Sequence, residues 1–110
     1  MLPAAITSVT TRFRDALRGR FGARLRECVV YGSWARGEAG EESDLDLFVV
    51  VDGLTEDEHR EVLSLAYDVD ALDDEPFGLS PLVHSTEQAA ELRQRGRRLF
   101  ADIAREGIAL

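Results

Sequence analysis

Gly32-Ser33-Trp34-Ala35-Arg36-Gly37-Glu38-Ala39-Gly40-Glu41-Glu42-Ser43-Asp44-Leu45-Asp46 is the stretch whose reading decides the fold. Ten residues separate its Gly-Ser pair from two aspartates spaced one apart. An apolar run precedes it, Cys28-Val29-Val30-Tyr31, and another follows, Leu47-Phe48-Val49-Val50-Val51. Both have strand length and β-branched or aromatic content. The order is therefore strand, Gly-Ser turn, short polar helix or loop, and a second strand opening with two acids.

Strand side chains alternate between faces, so Asp44 and Asp46 project from the same side. Two carboxylates so placed suit a hard divalent cation such as Mg²⁺, which takes oxygen ligands and substrate phosphates. Gly32 permits close backbone approach to a ligand. Ser33 offers a hydroxyl where a helix begins, and a helix N-terminus suits phosphate. A carboxylate pair facing a phosphate cradle is what transfer of a nucleotidyl or phosphoryl group from a nucleoside triphosphate needs.

Working outward, Ile6, Val9, Phe13, Ala16, Leu17 and Phe21 recur at helical spacing, with Gly19 and Gly22 as stop signals. Strands are expected at about 26–31 and 45–52. Thr55-Glu56-Asp57-Glu58 reads as a capping box, opening a helix whose apolar side carries Val62, Leu63, Leu65, Ala66 and Val69. Asp68, Asp70, Asp73 and Asp74 fall at that helix's end and in a loop, and read as a solvated acidic turn. A short third strand follows over Leu79–His84, with Pro81 marking an edge strand or a strand start. Ser85-Thr86-Glu87-Gln88 opens one final helix through Leu92, Leu99, Phe100 and Ile103, stopped by Gly107. The expected architecture is α/β (α+β): a small mixed three-stranded sheet packed by about four helices, in a single domain spanning 1–110.

Composition narrows the class. The 110 residues are 45% hydrophobic and 31% charged, which fits a globular chain rather than a disordered one. No apolar run approaches a membrane span, and the N-terminal Met-Leu-Pro-Ala-Ala-Ile-Thr-Ser has no signal-peptide pattern. The one cysteine, Cys28, suits a reducing cytoplasm and reads as buried packing. The net charge of −8 argues against general nucleic-acid binding. That charge is uneven: residues 38–75 carry −14, whereas residues 1–37 carry +5. The N-terminal arginines read as a solvated helix face, with docking of an acidic partner as the alternative. All thirteen basic residues are arginine, so lysine chemistry is excluded.

Gly-Ser, ten residues and Asp-x-Asp resemble the signature of the DNA polymerase β-like nucleotidyltransferases. Ala35-Arg36-Gly37 and Ser43-Asp44-Leu45-Asp46-Leu47 extend the likeness to the minimal prokaryotic members of that superfamily. The resemblance implies Asp44 and Asp46 as catalytic metal ligands, with Mg²⁺ as cofactor. It implies Gly32, Ser33, Arg36 and Ser43 as nucleotide-binding residues and ATP as donor. Arg36 would contact phosphate or brace the loop. Minimal members are commonly paired with a HEPN-domain toxin and act as its antitoxin by moving AMP onto it, typically onto a tyrosine hydroxyl. Two other readings stand beside this one: a catalytically silent module that neutralises its partner by contact, and a transferase acting on a small molecule of aminoglycoside type. Self-association stays open.

One departure from the family is visible. Many such enzymes carry a third carboxylate on the next strand, whereas Leu79-Ser80-Pro81-Leu82-Val83-His84 holds no acid. Ser80 or Pro81 is expected at that position. His84 reads as a surface or capping histidine, with a catalytic base as the alternative. Trp34, the only tryptophan, points either into the site or toward a partner, or packs against the first helix.

Overall fold

The computed structural model describes residues 2–40, 44–73 and 76–110. Helix α1 spans Ala4–Phe21, and Ile6, Val9, Phe13, Leu17 and Phe21 line its buried stripe. Gly19 lies within that helix. Gly22, at φ +57°, ends it and starts the 3₁₀ turn Gly22–Arg24. Strand β1 (Leu25–Tyr31) runs into the four-residue helical turn α2 (Ser33–Arg36), and β2 covers Leu45–Val51. Helix α3 spans Glu56–Asp70, and both halves of its capping box form. The Glu58 N–H donates to Thr55 Oγ1, and the Thr55 N–H donates to Glu58 Oε1, each at 3.1 Å. Strand β3 follows at Leu79–Ser85.

The sheet order is β3-β2-β1-β4. Strand β1 pairs antiparallel with β2, and β2 pairs parallel with β3 across the α3 connection. Pro81 therefore sits on an edge strand, where its missing N–H costs the ladder least. Two features differ from the expectation. The final helix is two helices, α4 (Thr86–Gln94) and α5 (Arg98–Glu106), because Gly96 turns left-handed at φ +64° inside the polar run Gln94–Arg98. Ile108–Ala109, expected as a tail, forms a fourth strand, β4, antiparallel to β1. The described residues thus hold five helices and a four-stranded sheet. Leu99, on α5, is 38% exposed.

Alternation along β2 builds two cores. Leu45, Leu47, Val49 and Val51 join Phe13, Leu17, Val62 and Ala66 beneath α1 and α3. Phe48 and Val50 join Ala89, Phe100 and Ile103 beneath α4 and α5. Each such large side chain taken fully out of water contributes about 1.5–3 kcal/mol. Cys28 is buried as expected, and burial pushes its thiol up to about 12, so it is an inert packing group.

None of the N-terminal arginines is buried, and several pair with the acidic segment. Arg12 pairs with Asp73 at 2.9 Å, and Arg20 with Glu61 at 2.6 Å. Arg24 grips Glu58 with two hydrogen bonds of 2.7 and 2.8 Å and donates to the carbonyls of Asp52 and Gly53.

Candidate functional site

Asp46 lies in the middle of three strands. Across the antiparallel pair it faces Tyr31, and across the parallel pair it faces Ser80. Directly opposed residues share a face, so Tyr31, Asp46 and Ser80 line up in one row, with Asp44 one step before Asp46. Asp44 is exposed and Asp46 half-buried. Burial and then the neighbouring Asp44 charge raise the Asp46 pKa, while Arg36 pulls it back down. A carboxylate whose ionisation is opposed by a neighbouring one invites a cation, and the hard oxygens of the pair fit a divalent ion of the Mg²⁺ kind. No group of three or more His, Cys, Asp or Glu gathers as a metal cage among the described residues. A cation here would take its other ligands from water and phosphate.

Each carboxylate rests against a glycine. Gly32, at φ +79°, lies so close that a Cβ built on it would stand 2.5 Å from Asp46 Oδ2. Gly78, at φ +73°, would place a Cβ 2.9 Å from Asp44 Oδ1. Both the positive φ and the contact exclude a side chain. Gly32 was legible in the sequence. Gly78 was not, because it sits in a turn-rich segment that gave no sign of facing Asp44.

The Gly-Ser turn is one helical turn. Its frame is the Arg36 N–H donating to the Gly32 carbonyl at 3.1 Å and the Glu38 N–H donating to Ser33 at 2.9 Å. Ser33 is half-buried at the start of that turn, after Gly32 leaves β1. Arg36 makes bracing contacts: it pairs with Glu38 at 3.0 Å and Glu106 at 3.3 Å, tying the turn to the end of α5. Trp34 is half-buried and packs against the α1/α3 core. Ser43 lies outside the described residues, as does Asp74.

Ser80 holds the place beside Asp46, in line with the expected register, so the third strand brings a hydroxyl there and no acid. His84 shares that face four residues further on, about 13 Å along the strand. Its ring lies 6.2 Å from Phe48 and 6.5 Å from Phe100. Burial lowers its pKa. It is a half-buried histidine that lies against the second core and hydrogen-bonds Gln88 in the first turn of α4, too far along the strand to serve as a base for Asp46.

Two further residues escaped the sequence reading. Tyr31 stands opposite Asp46, and burial together with the Asp46 charge raises its phenol pKa, keeping it a neutral donor. Asp70 was expected in a solvated turn, yet it is 8% exposed and accepts backbone N–H groups from Phe77, Gly78 and Leu79. Asp73 likewise is paired, with Arg12. Asp68 alone of the described acids in this turn is exposed as expected.

A mixed sheet carrying a carboxylate pair on the strand after a Gly-Ser turn defines a nucleotidyltransferase-type domain. Residues 11–99 match the family described as nucleotidyltransferase domain, and the chain belongs to that family. It is 50% identical over 44 residues to protein adenylyltransferase MntA of Thermococcus cleftensis, covering 40% of this chain and 42% of that protein. It is 40% identical over 40 residues to a putative protein adenylyltransferase of Methanocaldococcus jannaschii, covering 36% and 40%. The aligned stretch thus spans about two fifths of each curated relative. Among solved structures, a crystal structure of a toxin-antitoxin with AMP-PNP aligns with a TM-score of 0.59 at 19% identity. That alignment covers 91% of this chain and 70% of the other, a likeness of fold.

Proposed function

We propose that the chain, as one domain, is a Mg²⁺-dependent nucleotidyltransferase that moves AMP from ATP onto a hydroxyl of a partner protein, and so acts as an antitoxin. The observation that carries this reading is the Asp44/Asp46 pair at the start of β2, with Asp46 against Gly32 of the Gly-Ser turn and Asp44 against Gly78. The names of the relatives and the toxin-antitoxin neighbour support the chemistry and the setting. The family resemblance points to a HEPN-type toxin as partner.

Asp44 and Asp46 would hold the cation, which when bound supplies charge neutralisation at the triphosphate. Gly32 and Ser33 present backbone and hydroxyl to the phosphates, and Arg36 stiffens the turn that carries them. Tyr31 closes the far side of the row as a donor. The acceptor oxygen forms a bond to the α-phosphorus, the bond to the bridging oxygen breaks, and pyrophosphate leaves. The acceptor's proton goes to water or to a base on the acceptor, because position 80 offers no carboxylate.

Ser80 beside Asp46 is also the observation that favours a second reading, a module that neutralises its partner by contact alone. Titration of ATP with and without Mg²⁺, followed by Trp34 fluorescence and calorimetry, separates the two. Metal-dependent binding that disappears in an Asp44→Asn, Asp46→Asn double variant is the expected result. A folded wild type that binds no nucleotide, alone or with its partner, would leave only the contact reading.

A further inference from the structure

We propose that Asp70 is a positioning residue for the carboxylate of Asp44, acting through the backbone of Phe77–Leu79. The inference rests on reading Asp44 and Asp46 as the cation-binding pair. Asp70 closes α3 and is buried, where an ionised carboxylate needs several donors to be tolerated. It has three. Oδ1 accepts the Phe77 N–H at 2.8 Å, and Oδ2 accepts the Gly78 N–H at 2.9 Å and the Leu79 N–H at 3.3 Å. Charge-assisted bonds of this kind are stronger than neutral ones. They fix the loop that enters β3.

Gly78 then acts on Asp44 in two ways. Its carbonyl accepts the Leu45 N–H at 3.0 Å, which sets the start of β2 one residue after Asp44. Its α-carbon stands where any side chain would strike Asp44 Oδ1. A side chain at position 78 would therefore displace the Asp44 carboxylate. Asp46 gets the matching wall from Gly32 on the opposite flank. The pair's convergence is thus decided at the C-terminal end of a helix that touches neither carboxylate through a side-chain bond.

The test uses four variants in the full chain: Asp70→Asn, Gly78→Ala, Asp44→Asn and Thr55→Ala. Thr55→Ala removes the capping box at the other end of α3, at a cost of about 1 kcal/mol, without touching the loop. Binding of AMP-PNP with Mg²⁺ is measured by calorimetry, and folding by thermal melting. Asp70→Asn places an amide NH₂ against backbone N–H donors. It is expected to raise the dissociation constant by about tenfold or more, the usual effect of removing a group that orients a metal ligand. Gly78→Ala should do the same, and Thr55→Ala should bind as wild type does.

Wild-type affinity in a folded Asp70→Asn protein would overturn the proposal. So would a Thr55→Ala protein weakened as much as Asp70→Asn, because the effect would then follow helix stability. If Asp70→Asn does not fold, Gly78→Ala decides alone, and wild-type affinity there overturns the proposal. Failure of the underlying reading looks different: wild type and Asp44→Asn would then bind equally, or not at all.

Discussion

On the face of β2 turned toward α1 and α3, Leu45, Leu47, Val49 and Val51 are fully buried in the larger core. On the opposite face, Asp44 and Asp46 come first, and only from Phe48 onward does the strand become apolar beneath α4 and α5. The two faces share one backbone and differ by a one-residue offset. The apolar face can therefore hold the strand rigid while the other exposes charge at its open end. A site built this way takes its precision from a core it does not share.

Exchanging residues between the two faces should separate activity from stability. The largest effect is expected from Asp46→Asn, which should cost at least about 10²–10³-fold in nucleotide transfer. Its melting temperature should hold or rise, because burial and the charge of Asp44 both oppose the ionised form of Asp46. A melting temperature lowered along with activity would show that the carboxylate face also supports the fold. The next effect belongs to its neighbour on the other face. Leu47→Ala leaves a cavity and should lose about 2–5 kcal/mol in urea unfolding. The fraction that remains folded should still bind nucleotide.

The smallest effect concerns the tie between the two halves of the charge pattern. Hydrogen bonding from Arg24, and then from the Thr55 backbone, lowers the Glu58 carboxyl from 4.5 to about 2. A carboxylate depressed on folding contributes stability that is present above its ordinary pKa and is lost as pH falls toward the folded value. Wild-type melting should therefore decline between about 4.5 and about 2, and Glu58→Gln should flatten that limb. An unchanged slope would mean that other acids carry the loss.

The strand-turn-strand unit was legible because its signals are local: two β-branched runs, a Gly-Ser turn, and acids at strand spacing. The capping boxes at Thr55 and Ser85 were legible for the same reason, as each closes within four residues. Asp70 was misread because its partners lie seven to nine residues ahead, and only the packing of α3 against β3 brings them to it. Gly78 was missed for the same cause. A two-residue strand such as β4 has no periodicity to read, and its existence depends on α5 returning the chain to β1. Gly96 carried a readable signal, a glycine in a polar run. The apolar residues on both sides of it had suggested one continuous helix.

The proline on β3 has a consequence for how many copies of the chain can coexist. A sheet with bare edges is a template on which further strands can polymerise. Here β4 covers only part of β1 on one side, and the edge at β3 is interrupted by Pro81, which has no donor to give a newcomer. The β3 growth front is blunt. A strand added at that edge would meet a gap in the hydrogen-bond ladder at Pro81.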